Sequence, residues 1–318
     1  MSKTIRIAAV SFAPPFHDHH KLGVNLSSIR EVVLRVAQQE RPDFMCFPEI
    51  CSCSGNGFKA GIGAAPEIGA YAAEVGKLAK EVNCALIIPC LERYMGQVFN
   101  SVPIVNRQGQ LVLVYRKNFP TIGEMDEGVC PGWEVPVAEC DGVRVGAAVC
   151  FDANFDQIGA ELERQRARVV FWPSMYWGGQ LLQHWSLRYG FYTVAAYSPE
   201  SAIVDMNGKF LAKRGNDTLQ VRRGNQPPWA VAEVNADREL YHLDFNQNHL
   251  QAIHAKYGPD VVIEVEQPEG FFLLASRRDG LTVEQIAAEF KLETLREYLA
   301  RSVKQRTEFH QRTHLPRK

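Results

Sequence analysis

"AAVCFDAN" (147–154) is the stretch on which the reading of this chain turns. A short apolar run ends at Cys150, and Asp152 follows two residues later. With "VRVG" before it, the run predicts a strand over 143–151 that stops at a thiol. A cysteine in such a run is ordinarily a core residue, so its meaning depends on how the other strands end. Two end in the same manner: "DFMCFPE" at Glu49 and "LVLVYRK" at Lys117. Ligands of open α/β sheets gather at the carboxyl ends of strands. If these three strands are neighbours, a carboxylate, an ammonium and a thiol converge.

The pattern around them supports an α/β layering. "IRIAAVSF" (5–12) predicts a strand, "LSSIREVVLRVAQQE" (26–40) a helix, and "APEIGAYAAEVGKLAKEVN" (65–83) a second helix. "CALIIPCLER" (84–93) predicts one strand, and "FNSVPIVNRQGQLVLVYRK" (99–117) a hairpin around Asn106–Gly109. Further on come a helix at 156–168, a strand at 169–175, a helix running into a strand over 184–198, and a strand at 229–235. "SAIVDMNGKFLAK" (201–213) carries Asn207-Gly208, a strong hairpin signal. No linker interrupts the series before about residue 250. The tail, 251–318, is expected to be a helical extension for packing or oligomerisation, with 279–309 helical and amphipathic. Ile286, Phe290 and Leu295 form its apolar stripe. The segment 281–299 resembles a helix-turn-helix, except that Lys291 stands where glycine is favoured.

The convergent trio has a mechanism. A thiol with an unperturbed pKa of about 8.5 is mostly protonated at pH 7. A neighbouring carboxylate takes that proton and returns it later. An ammonium stabilises the oxyanion that forms when sulfur attacks a carbonyl or nitrile carbon, with the Phe151 backbone N–H as a second donor. Taken singly, each of the three has a plainer reading: a core thiol, a solvated loop glutamate, a surface lysine.

Taken together, "CFPE", "YRK" and "AAVCFD", in this order and at these separations, resemble the nitrilase (carbon–nitrogen hydrolase) superfamily. That resemblance spans roughly residues 4 to 240 and implies an α-β-β-α sandwich over residues 1–250. It implies Glu49 as general base, Lys117 as oxyanion-stabilising lysine and Cys150 as nucleophile. Glu124 matches the family's second glutamate, which helps to position the site. No metal or organic cofactor is needed by such a mechanism. Phe151 departs from the Tyr or Trp of many members, and of the family's Arg-Ala-x-Glu-Asn helix only Arg188 survives. Nitrilases usually carry Trp-Glu after the cysteine. Here Asp152 is one methylene shorter, and about 1 Å of lost reach at a reacting centre can cost on the order of 100-fold. Amides or carbamoyl compounds are therefore expected over nitriles. A catalytically silent binding or scaffold protein on the same fold is the alternative from another class.

The bulk properties narrow the setting. The chain has 318 residues, 46% of them hydrophobic, with 35 basic and 36 acidic residues and a net charge of -1. That balance gives no bulk attraction to nucleic acid or an anionic membrane. No apolar stretch approaches the roughly 20 residues of a transmembrane helix. Arg6, Pro14 and Pro15 break the opening run, which does not read as a signal peptide. Eight cysteines, several of them inside apolar runs, look like a reduced cytosolic set, and Cys51-Ser52-Cys53 lacks zinc-ligand spacing. The expectation is a cytoplasmic homo-oligomer acting on a small molecule. Trp133, Ser174, Tyr176, Trp177 and His184 are candidates for lining its pocket.

Overall fold

A computed structural model describes residues 4–13, 22–53, 58–215 and 227–313. Pro14 and Pro15, expected to end the opening run, lie outside the described residues. Two compact units divide the chain, one over Thr4–Val234 and the other beginning at Asn235.

In chain order the first unit contains β1 (Thr4–Val10), α1 (Leu22–Glu40), β2 (Phe44–Cys46), α2 (Phe58–Gly63), α3 (Ile68–Val82), β3 (Ala85–Ile87), β4 (Cys90–Tyr94), β5 (Gln97–Val105), β6 (Leu111–Arg116) and α4 (Ile122–Asp126). It continues with β7 (Val137–Cys140), β8 (Val143–Ala147), α5 (Asp156–Arg164), β9 (Val169–Ser174), α6 (Gln180–Tyr189), β10 (Tyr192–Tyr197), β11 (Glu200–Val204), β12 (Phe210–Gly215) and β13 (Trp229–Asn235). One sheet runs β13-β1-β2-β3-β5-β4 with β6 paired to β5, and the other runs β12-β11-β10-β9-β8-β7. β1, β2 and β3 are parallel in the first sheet, as are β8, β9 and β10 in the second.

Both faces of such parallel strands must be covered, which is why they read as near-continuous apolar runs. Ile29, Val33 and Val36 of α1 and Tyr71, Val75 and Leu78 of α3 bury against Ala8, Met45 and Leu86 of the first sheet. Ile158 and Leu162 of α5 and Leu182, Trp185 and Tyr189 of α6 do the same against Val170 and Trp172 of the second. The inner faces meet where Phe44 of β2 lies 5.8 Å, ring to ring, from Phe171 of β9. The unit is thus the four-layer α-β-β-α sandwich that the resemblance implies.

Local departures have physical causes. The run 84–93 is not one strand: it breaks at Ile88 and Pro89 into β3 and β4, because proline cannot donate to the ladder. The strand expected over 143–151 stops at Ala147. The hairpin β5–β6 is held against α3 by a glycine pair. A Cβ on Gly76 would stand 2.5 Å from the Gly109 carbonyl oxygen, and Gly109 itself has φ +74°.

The second unit is more than a helical tail. It holds β14 (Arg238–His242), α7 (Leu243–Asn246), α8 (Leu250–Tyr257), β15 (Val261–Glu266), β16 (Phe271–Ser276), α9 (Val283–Phe290) and α10 (Leu295–Thr313). The three strands form an antiparallel sheet, β14-β16-β15. Structurally the unit begins at Asn235 rather than 251, since β14 pairs along its whole length with β16. Its core includes Tyr241, Ile253, Phe272, Leu274, Val283 and Ile286, with Phe290 packed against it. The stripe expected to need a neighbour is therefore covered within the unit at Ile286 and Phe290. Lys291 ends α9 in the left-handed region, φ 52°, and breaks the expected single amphipathic segment in two. No helix among the described residues is long and apolar enough to cross a membrane.

Candidate active site

Glu49 follows β2 by three residues, in a turn closed by Cys51 N–H to Pro48 C=O. It is 3% exposed. Lys117 follows β6 directly and is 1% exposed, its backbone N–H donating to the Asn100 carbonyl at 2.8 Å. Glu124 comes from α4, where it completes a capping box: the Thr121 N–H donates to its Oε2 at 2.7 Å, and its own N–H donates to Thr121 Oγ1. These three elements bring the ionisable groups together. Lys117 Nζ donates to Glu49 Oε1 at 2.8 Å and to Glu124 Oε2 at 2.7 Å.

A fourth member was not expected from the sequence. Asn100, fully buried on β5, donates through Nδ2 to Glu49 Oε1 at 2.7 Å and to Glu124 Oε1 at 2.9 Å. Glu49 Oε1 thus accepts two hydrogen bonds, while its Oε2 is buried with no protein partner. That oxygen is the obvious proton acceptor of the cluster.

Cys150 opens a 3-10 turn, Cys150–Asn154, just after β8. Its φ is 48°, in the left-handed region that a side chain with a Cβ rarely adopts. Strain of this kind persists only where the surroundings over-determine it, and it clusters at functional sites. Asp152 supplies part of that constraint. Fully buried, it accepts from Val149 N–H at 2.8 Å, Phe119 N–H at 2.9 Å and the Tyr115 hydroxyl at 2.7 Å.

The electrostatics are those of a dry, charged cluster. Burial, then the nearby Glu49 charge, push the Cys150 thiol up to about 12, against the opposing pull of Lys117, Met175 and Ser174. The thiol is therefore neutral at rest, and not the ready thiolate that an activated cysteine would present. Burial works to lower the Lys117 pKa, but Glu49, Cys150 and Glu124 outweigh it and the net direction is upward. Burial works to raise Glu124, yet Lys117, Thr121 and Asn100 hold it below the usual carboxylate range. Asp152, for all its donors, is raised by burial to about 7.

Of the candidate lining residues, Ser174 is buried beside Cys150, with Oγ bonded to the backbone of Tyr176. Tyr176 and Tyr197 both lie in the field of Cys150. Trp177 packs edge-on against Tyr197 at 5.2 Å, and Phe151 stands half exposed beside Phe155. Two candidates are elsewhere. Trp133 is exposed and meets Phe99 edge-on at 6.0 Å, and Phe99 points to the opposite face of β5 from Asn100. His184 lies on the exposed side of α6, opposite Trp185 and Tyr189. The Asp152 carboxylate is engaged in the interior, so its shorter reach does not separate amides from nitriles. Among the described residues no cluster of three or more His, Cys, Asp or Glu side chains is arranged to hold a metal ion.

Known proteins resemble this chain in sequence and in fold. The carbon-nitrogen hydrolase family model matches residues 6–234. A Pseudomonas protegens protein described as a hydrolase in the pqqF 5' region is 26% identical over 177 residues, 54% of this chain and 60% of that relative. The matched segment thus spans about three-fifths of the relative's length. Among solved structures, Saccharomyces cerevisiae Nit3, a member of branch 10 of the nitrilase superfamily, superposes with a TM-score of 0.61 at 18% identity, covering 73% of this chain and 90% of Nit3. The amidase of Nesterenkonia sp. AN1, solved as a mutant in complex with butyramide, gives 0.59 at 18% identity, covering 80% and 97%.

Proposed function

The chain belongs to the carbon-nitrogen hydrolase family, and from that premise we propose that it cleaves a non-peptide amide or carbamoyl C–N bond through a thioester on Cys150. The observation that carries the reading is the division of labour at Glu49: Oε1 is fixed by Lys117 and Asn100, and Oε2 is buried and unpartnered beside a strained, neutral thiol.

As the Cys150 sulfur attacks the carbonyl carbon, its proton passes to Glu49 Oε2. The resulting oxyanion faces the Lys117 ammonium and the Phe151 N–H. Glu49 returns the proton to nitrogen, the C–N bond breaks, and ammonia or an amine leaves. Water then attacks the thioester, Glu49 takes a proton from it, and the acid departs as the thiol reforms. Glu124 and Asn100 hold Glu49 and Lys117 in place throughout. Ser174, Tyr176 and Trp177 line the acyl side.

The same trio can begin attack on a nitrile, and the interior position of Asp152 no longer argues against it. The likeness to an amidase solved with butyramide favours the amide. The deciding experiment offers one acyl group as amide and as nitrile, with hydroxylamine to trap the thioester as hydroxamate. A larger kcat/KM for the nitrile overturns the amide reading, and hydrolysis of neither, with no adduct on Cys150, overturns the enzyme reading in favour of a silent scaffold. On this proposal the protein acts in the cytoplasm, in keeping with eight cysteines none of which is in a disulfide, and as a homo-oligomer in which the exposed Leu299, Val303 and Phe309 of α10 are covered.

A further inference from the structure

We infer that Asn100 is a positioning residue that selects which oxygen of Glu49 takes the proton and keeps two buried carboxylates tolerable around a single cation; the inference rests on the cysteine mechanism proposed above. Glu49 and Glu124 both bond to one ammonium, Lys117. One positive charge cannot neutralise two carboxylates, and each ion that leaves water carries a large desolvation cost. Asn100 gives each carboxylate a further donor and adds no charge. Its amide orientation follows from its neighbours: turned over, it would set its oxygen against both carboxylates.

The geometry has a catalytic consequence. Asn100 and Lys117 hold the same oxygen, Glu49 Oε1, at 2.7 and 2.8 Å. Two donors occupy that oxygen and fix the rotation of the carboxylate, which leaves Oε2 as the acceptor. Both donors also serve Glu124, but Lys117 reaches the pair on a long, rotatable stem. Asn100 is instead rooted in a strand whose backbone also receives the Lys117 N–H. The titratable groups facing this point are Lys117, Glu124 and the neutral Cys150 thiol. On the far side of β5, Glu92 bonds Ser101 and takes a bidentate pair from Arg116.

Two variants and two readouts test this. Asn100→Ala is expected to lose on the order of 100-fold in kcat with KM within about threefold, as for a misplaced group at a reacting centre. Asn100→Asp is isosteric but adds a third carboxylate, so it is expected to be slower still near neutral pH. It should recover towards acid pH, where the protonated side chain again supplies one donor. A residue needed only for folding would lower the melting temperature and leave the pH profile of surviving activity unchanged. The second readout needs no turnover: 13C-carboxylate NMR, where the titration of Glu124 should move up in the alanine variant because one of the donors that lowers it is gone. Alanine activity within about threefold of wild type, an aspartate profile that overlays wild type, or an unmoved Glu124 titration overturns the inference. If the wild-type protein turns over nothing, the proposed function fails first, and the Glu124 titration still decides the role of Asn100.

Discussion

The Tyr115 hydroxyl donates to Asp152 Oδ2 at 2.7 Å, joining the end of β6 to the turn that carries Cys150. The other Asp152 oxygen takes the Phe119 N–H, two residues beyond Lys117. One buried carboxylate thus ties the nucleophile's turn to the lysine's loop. An amide in its place cannot accept from all three donors, and a stranded buried donor costs about 1–3 kcal/mol. Asp152→Asn should lower stability by about that much and reduce turnover as well, measured by denaturant unfolding and kcat.

A pH dependence follows from the same residue. Asp152 is raised from 3.8 to about 7 by burial, so the folded state binds its proton more tightly than the unfolded chain. Its contribution to stability is fully present below about pH 4 and is lost as pH rises through about 7. Unfolding measured across that window should show a fall in wild type that Asp152→Asn lacks. Parallel curves for the two proteins would contradict the assignment.

Cys150 alkylation should report on its two charged neighbours with opposite signs. Glu49 raises the thiol and Lys117 lowers it. In Glu49→Gln the midpoint of iodoacetamide reactivity should move to lower pH even as turnover is lost. In Lys117→Met it should move higher. Shifts of the same sign in both variants would show that these groups do not flank the sulfur.

Turnover gives the sterner test of roles. Cys150→Ser or Cys150→Ala should leave no more than a few per cent of the rate in a folded protein, with the acyl adduct of wild type mapping to Cys150 by mass spectrometry. Lys117→Met removes an oxyanion donor, a loss of about 3–4 kcal/mol, or 100- to 1000-fold. Glu49→Gln should cost at least as much. Wild-type rates in either partner variant refute the assignment.

In the second unit, Ile286 is completely buried in a core of its own. Ile286→Ala should destabilise that unit by about 2–5 kcal/mol. Deleting 279–318 should therefore expose the core around Phe272 and Leu274, seen as dye binding or aggregation, and not simply release a neighbour. Light scattering on the intact chain at micromolar concentration checks the proposed oligomer, which a monomer contradicts.

Glu49, Lys117 and Cys150 were legible because each ends an apolar run, so a one-dimensional pattern carried a three-dimensional convergence. Glu124 was reachable only through the resemblance, since nothing in "TIGEMDEG" singles it out. Asn100 is hidden inside "VFNSVPIV", where the only signal is that an uncharged polar side chain in a buried strand must have partners. Asp152 is opaque in the sequence for a related reason. Its role is set by Tyr115 and Phe119, distant in the chain, and spacing cannot show which way a side chain turns. The sheet of the second unit is not legible in the sequence because its strands lie among strongly helical patterns.

The left-handed backbone at Cys150 bears on how such a chain would change over generations. A cysteine at φ 48° is kept there against its conformational preference, and glycine would occupy the same backbone without that strain. Selection for the reaction alone opposes that exchange. In a descendant freed from the proposed reaction, glycine at 150 would relieve that strain, set against the unfolded-state entropy that glycine adds.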